Sequence, residues 1–208
     1  MRARKEPAAA LTDPENPGPS SSRLPAADRR PARLAEAGRA AVGALILALF
    51  IMTFVGRAFT VEGPSMLPTL HSGERLVVER VTYLFRPPRR GEVIVFRYPL
   101  NPRDFFVKRV VGLPGDRVAI REGLLWINGQ PVHEEYVTTR AVHAFPEVKV
   151  PEGHYFVMGD NRNNSEDSRD PRVGFIPREL IVGRAIWRYW PAERIAVLTP
   201  PESFRSLP

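Results

Sequence analysis

The chain has no cysteine. Disulfides and thiolate metal sites are therefore excluded. Its four histidines, His71, His133, His143 and His154, show neither i,i+4 pairing nor an HExxH pattern. No metal and no cofactor is expected. No helix-turn-helix, zinc-finger spacing or aromatic-basic platform accompanies the net charge of +7. That absence argues against nucleic acid as a partner. The positive balance is spread out, +3 over residues 1–39 and +4 over the rest. Anionic lipid headgroups are the simpler partner for such a surface. What the chain has in excess is proline, 22 in 208 residues, about twice the usual share of about 5%. An all-helical protein is unlikely to carry so many breakers.

Only one stretch is long, apolar and free of charge. Residues 1–38 are rich in Pro, Ala, Ser and Arg and are expected to be a disordered tail. Ala40 to Gly56 then runs for 17 residues without a charged group, flanked by Arg39 and Arg57. As a helix the run rises about 26 Å at roughly 1.5 Å per residue. That is close to the lower limit for a membrane span, about 17 residues. The flanking arginines can snorkel and extend it. Residues 39–58 are read as a single retained transmembrane helix. The Arg and Lys before it place the N-terminus in the cytoplasm. The rest of the chain would then lie on the outer face of the inner membrane.

Beyond residue 59 the periodicity is that of strands. Arg75–Val81, Glu92–Tyr98, Phe105–Val111 and Arg117–Arg121 are expected strands. So are Leu124–Ile127, Gln130–Val132, Tyr155–Met158 and Ile181–Trp190. Glu122-Gly123 and Asn128-Gly129 fall between apolar runs, a strong hairpin signal. Residues 59–191 are expected to form an all-β domain, with a small accessory hairpin region at about 117–155. Residues 192–208, with three prolines, read as a loose tail. Between two of these strands lie Tyr83, Leu84 and Phe85, beside Pro87, Pro88 and several arginines. These aromatic and apolar groups are expected to dip into a headgroup layer.

The chemistry centres on Ser65, held between Pro64 and Pro68 in Val61-Glu62-Gly63-Pro64-Ser65-Met66-Leu67-Pro68. A serine hydroxyl needs a neighbouring base to act as a nucleophile. No histidine stands in a triad context. A lysine can serve once burial lowers its pKa. Lys108 is flanked on its own strand face by Phe106 and Val110. An edge-strand lysine facing water would be the ordinary alternative. Downstream, Gly159-Asp160-Asn161-Arg162-Asn163-Asn164-Ser165-Glu166-Asp167-Ser168-Arg169 is polar but lacks the ligand order of an EF-hand. Its Arg169 can grip a carboxylate by a two-pronged contact and lock the loop.

These three stretches, in this order behind one apolar run, resemble the bacterial type I signal peptidases over roughly residues 40–191. The resemblance implies a mainly β fold, a signal-peptidase and SOS-repressor-like catalytic domain behind one membrane helix. It implies a serine endopeptidase that removes signal peptides from exported preproteins after an Ala-x-Ala pattern. Ser65 would be the nucleophile and Lys108 the general base. Ser165 matches the serine that hydrogen-bonds the lysine, and Asp160, Asp167 and Arg169 match bracing residues. Gly63 stands where some members carry a serine that supports the oxyanion, leaving backbone N–H groups such as that of Ser65. A pocket for small side chains would be lined by Phe59, Val61, Met66, Leu70, Leu76, Val95, Phe106 and Val157. The implied partners are preprotein signal peptides, delivered by the secretion translocon. Three departures stand out. Glu92 replaces the usual Asp, Asn163 replaces a frequent Asp, and the spacing from Arg169 to Gly174 is longer than the family's. The self-cleaving repressors of the DNA-damage response share the Ser-Lys logic, but they need a DNA-binding N-terminus that residues 1–56 do not provide.

Overall fold

A computed structural model of the chain describes residue 36, residues 38–46 and residues 56–204. Residues 38–46 are helical. Most of the expected tail and residues 47–55 of the expected membrane helix lie outside the described residues. Among the described residues no helix is long and apolar enough to cross a membrane. The expected helix end at residue 58 is too late. Arg57–Thr60 is already the first strand, β1, paired antiparallel with Arg75–Glu79, β2.

Two antiparallel sheets follow. The larger runs β1-β2-β11-β3-β4-β9-β10, with β12 added beside β11. Its central members are Val93–Tyr98 (β3), Asn101–Gly112 (β4), His154–Met158 (β9) and Ile181–Trp190 (β11). Ile176–Pro177 is β10 and Ala196–Val197 is β12. The smaller sheet runs β7-β6-β5-β8, made of Arg117–Arg121 (β5), Leu124–Ile127 (β6), Gln130–Val132 (β7) and Phe145–Lys149 (β8). The accessory region is thus a complete four-stranded sheet. Its expected end at residue 155 belongs instead to β9 of the larger sheet.

The hairpins form where the turn chemistry asks for them. Glu122 and Gly123 have φ of 53° and 76°, and Asn128 and Gly129 have 50° and 80°. Two successive positive φ values match the right-handed twist of the flanking strands.

Strand β3 explains why the larger sheet is buried on both sides. Val93 and Val95 pack with Val61, Met66, Leu70, Leu76 and Val78. Ile94 and Phe96, of opposite parity, pack with Val110, Tyr155, Val157 and Ile176. An uninterrupted apolar run is what a strand covered on both faces requires. A third cluster joins the sheets, bringing Val111, Phe156 and Met158 against Ile120, Leu125 and Ile127.

Two further expectations change. Residues 192–204 are not loose. Strand β12 pairs with β11, and Phe204 is buried in the cluster between the sheets. The prolines shape a close-fitting path, since Pro200 and Pro201 pack with Phe204 around Gly91. In the one-turn helix Thr82–Phe85, Tyr83 is a core residue whose hydroxyl donates to buried Glu92 at 2.9 Å. Leu84 and Phe85 alone face outward, 69% and 84% exposed.

Candidate active site

Ser65 sits in a tight turn between β1 and β2. Leu67 N–H donates to Pro64 O, and Leu70 N–H donates to Met66 O. Met66 and Leu70 are buried and anchor the turn in the core. Ser65 itself is only half-buried, between exposed Pro64 and buried Met66.

The 159–169 loop grips the same turn from outside. Asn161 N–H donates to Ser65 O at 3.1 Å, and Asn161 Nδ2 donates to Pro64 O at 3.2 Å. Gly159 is required by the closeness of the two segments. A Cβ there would lie 2.4 Å from Ser65 O and 2.2 Å from Ser165 Oγ.

Lys108 comes from β4, opposite Ile94 of β3. Its Nζ donates to Ser65 Oγ at 2.9 Å and to Val107 O at 3.1 Å. It also lies 5.1 Å from the centre of the Phe106 ring. Lys108 is 4% exposed. Burial pulls its pKa down from 10.5 to about 8, against the opposing pull of Asp167, Glu166 and Asp160. Arg109 and Arg169 engage Asp160 and Asp167, which weakens that opposing pull. An amine poised this way can take a proton from an adjacent hydroxyl.

Asp160 receives two bonds from Arg109, at 2.9 and 2.6 Å. Asp167 receives two from Arg169, at 2.8 and 2.7 Å, and one from Gly159 N–H at 2.9 Å. The two-pronged grip of Arg169 on a carboxylate is therefore present. Beyond Arg169 the long spacing is taken up by a compact turn. Val173 and Gly174 N–H both donate to Asp170 O, and Arg172 clasps the Asp170 carboxylate.

Other expected residues are placed differently. Ser165 Oγ is buried and has no hydrogen-bond partner among the described residues, so no bond to Lys108 forms. It lies beside Gly159. Gly63 has φ of 81°, and its N–H donates to Ser72 Oγ at 3.3 Å. The N–H of Ser65 makes no hydrogen bond among the described residues.

Of the eight expected pocket residues, Val61, Met66, Leu70, Leu76 and Val95 share one cluster, with Phe59 packed against it. Phe106 and Val157 lie in the cluster on the opposite face of the sheet. Parity along β3 and β4 separates them, because Val95 faces Val107 and Phe96 faces Phe106.

Several residues were missed. Arg109 also donates to Gly91 O at 2.8 Å, and its guanidinium lies 4.1 Å from the Tyr136 ring centre. Arg162 is buried, bonded to Gly159 O and paired with Glu134. Arg109 and Arg162 could have been found from their positions inside the two motifs. Nothing in sequence marks Glu134 or Tyr136 as their partners.

Comparison with known proteins bears on the same stretches. The sequence profile described as "Signal peptidase, peptidase S26" matches residues 34–190. Signal peptidase I of Leptolyngbya laminosa is 45% identical over 168 residues, 77% of this chain and 81% of that one. Probable signal peptidase I-2 of Synechocystis sp. is 43% identical over 169 residues, 79% of this chain and 77% of that one. Signal peptidase I T of Bacillus subtilis is 40% identical over 166 residues, 75% and 85% of the two chains. With a buried lysine on a serine at the centre of its fold, this chain is a hydrolase that belongs to the signal peptidase family, peptidase S26.

Proposed function

We propose that this protein removes signal peptides from exported preproteins, with Ser65 as nucleophile and Lys108 as general base. The observation that carries the proposal is the 2.9 Å approach of Lys108 Nζ to Ser65 Oγ in a site that buries the amine. In its neutral form the amine accepts the hydroxyl proton as Oγ attacks the scissile carbonyl. The free N–H of Ser65 is positioned to stabilise the oxyanion. The ammonium then returns its proton to the leaving amine. A water, activated by the same lysine, hydrolyses the acyl-enzyme ester and restores Ser65. No cofactor enters these steps.

Arg109 and Arg169 hold Asp160 and Asp167 so that neither carboxylate pairs directly with the lysine. The cluster of Phe59, Val61, Met66, Leu70, Leu76 and Val95 borders the nucleophile turn and favours small side chains, in keeping with Ala-x-Ala. The anchor is the apolar run that ends at Gly56, with the N-terminus cytoplasmic and the β domain on the outer face, where the translocon releases preproteins. Purified full chain in detergent is expected to cleave a test preprotein at its signal-peptide boundary. The Ser65→Ala variant, folded by its melting curve, is expected to be inert. Equal cleavage by Ser65→Ala would overturn the assignment.

A further inference from the structure

Two adjoining cavities share no residue with the Ser65 and Lys108 site. Their volumes are about 450 and about 250 Å³, and both are lined by Arg80, Leu84 and Glu179. The larger also takes Gly56, Arg57 and Arg97, and the smaller takes Arg178. The larger volume falls in the range of small-molecule sites, about 300–1,000 Å³.

The charge lining these cavities is four guanidinium groups against one carboxylate. The side chains of Arg57 and Arg80 make no hydrogen bond or ion pair among the described residues. Arg97 is engaged, donating to Pro102 O at 2.9 Å. Arg178 is half satisfied. Its Nη2 donates to Tyr83 O at 2.6 Å, while its Nη1 is buried without an acceptor. A buried donor left open is costly, and an incoming oxygen would relieve it. Guanidinium groups suit phosphate, because their fork of N–H groups matches its oxygens as it matches those of a carboxylate.

The rim says which phosphate. Leu84 lines both cavities and Phe85 follows it, and these are among the most exposed large apolar groups of the domain. Gly56, at the mouth of the larger cavity, is the last residue of the uncharged run from Ala40. A free phosphate has no use for an apolar rim. A phospholipid presents a phosphodiester and an acyl boundary together.

We propose that these cavities bind the headgroup phosphodiester of an anionic phospholipid, with Arg57, Arg80 and Arg178 on its oxygens and Leu84 and Phe85 toward the acyl chains. The proposal rests on the reading of the apolar run that ends at Gly56 as a membrane anchor. Glu179 is left to accept a hydrogen bond from a headgroup hydroxyl. Such a site would hold the β domain at a fixed height on the bilayer.

The test uses the full chain in dodecyl maltoside micelles, titrated with dioctanoyl phosphatidylglycerol, dioctanoyl phosphatidylcholine or inorganic phosphate, with binding read by native mass spectrometry. Phosphatidylglycerol is expected to bind most tightly. The double variant Arg57→Gln, Arg80→Gln is expected to weaken it by at least about tenfold, as loss of charge-assisted bonds implies. A charge-matched control, Arg103→Gln with Arg140→Gln, removes two exposed arginines outside both cavities and is expected to bind like the parent. Equal binding of phosphatidylcholine, or equal loss in the control, would overturn the site. Displacement of the lipid by inorganic phosphate at comparable concentration would make it a free-phosphate site instead. Preprotein cleavage measured in the same micelles keeps the two readings apart. Cleavage without lipid selectivity removes only the lipid site, and selectivity without cleavage removes only the peptidase assignment.

Discussion

Lys108 carries a conflict between stability and chemistry. Its amine is buried at 4% exposure, and burial lowers its pKa to about 8. The unfolded chain keeps a value near 10.5. Between these two values the unfolded state binds more protons, so stability rises with pH across that window. Below about 8 the full cost of burying the ammonium is present. Lys108→Met, which keeps the apolar stem, is therefore expected to melt higher than the parent at pH 7, by on the order of 2–3 kcal/mol less the lost hydrogen bonds. The difference is expected to shrink as pH rises from about 8 to 10.5 and to stay level above that. Activity runs with the neutral amine, so kcat/KM of the parent is expected to rise with pH and level off above about 8. Lys108→Arg is expected to be inactive at every pH, because guanidinium does not deprotonate. A flat pH profile through 8, or an active Lys108→Arg, would remove Lys108 as base. Ser165 makes a second contrast. Its hydroxyl has no partner, so Ser165→Ala is expected to raise the melting temperature slightly while kcat falls and KM holds. Unchanged kcat would leave Ser165 a packing residue only.

At the scale of elements, what was legible followed from period and turn chemistry. Strands β5, β6, β7 and β11 form over the residues their alternation marks, and both glycine-containing hairpin turns adopt the positive φ values expected of them. Strand β8 was missed because Phe145-Pro146-Glu147-Val148-Lys149 has no clean alternation and pairs only with β5 at the sheet edge. Strands β10 and β12 are two residues each, too short to carry a period. The pair Ser65 and Lys108 was legible from their stretches. The split of Phe106 and Val157 from the other pocket residues was not, because it depends on which strands become neighbours. The C-terminal segment was misread because proline content signals irregularity and not exposure. Phe204 is 5% exposed and packs on Gly91, whose carbonyl holds Arg109. Phe204→Ala is expected to destabilise by about 3–5 kcal/mol, as large-to-small core changes do. Through Gly91 and Arg109 it also loosens Asp160, so activity is expected to fall at temperatures where the fold persists. A variant that melts lower yet cleaves at the parental rate would show that the segment supports the fold alone.

On the proposed function, the whole molecule must bring Ser65 to a bond at the membrane surface. Only eight residues separate Gly56 from Ser65, a reach of about 30 Å at most over the nine steps when extended at roughly 3.3 Å per residue. Four of them are spent in β1, which runs into the turn that holds Ser65. Wherever the apolar run ends, the nucleophile is within one short tether. Which side that is follows from the flanks. In the 20 residues before Ala40 there are five arginines, Arg23, Arg29, Arg30, Arg33 and Arg39, and in the 20 after Gly56 there are two, Arg57 and Arg75. Positive charge is retained on the cytoplasmic side, so the N-terminus is expected inside and the β domain outside. Protease added to spheroplasts making the full chain with an N-terminal epitope is expected to leave a short, epitope-bearing fragment. The domain from residue 60 onward is expected to be digested. Moving the charge reverses the logic. Replacing the five upstream arginines with Gln, with two lysines added after Gly56, is expected to lower the fraction in this orientation. An intact chain in spheroplasts, digested only after lysis, would place the domain in the cytoplasm and separate Ser65 from every exported substrate.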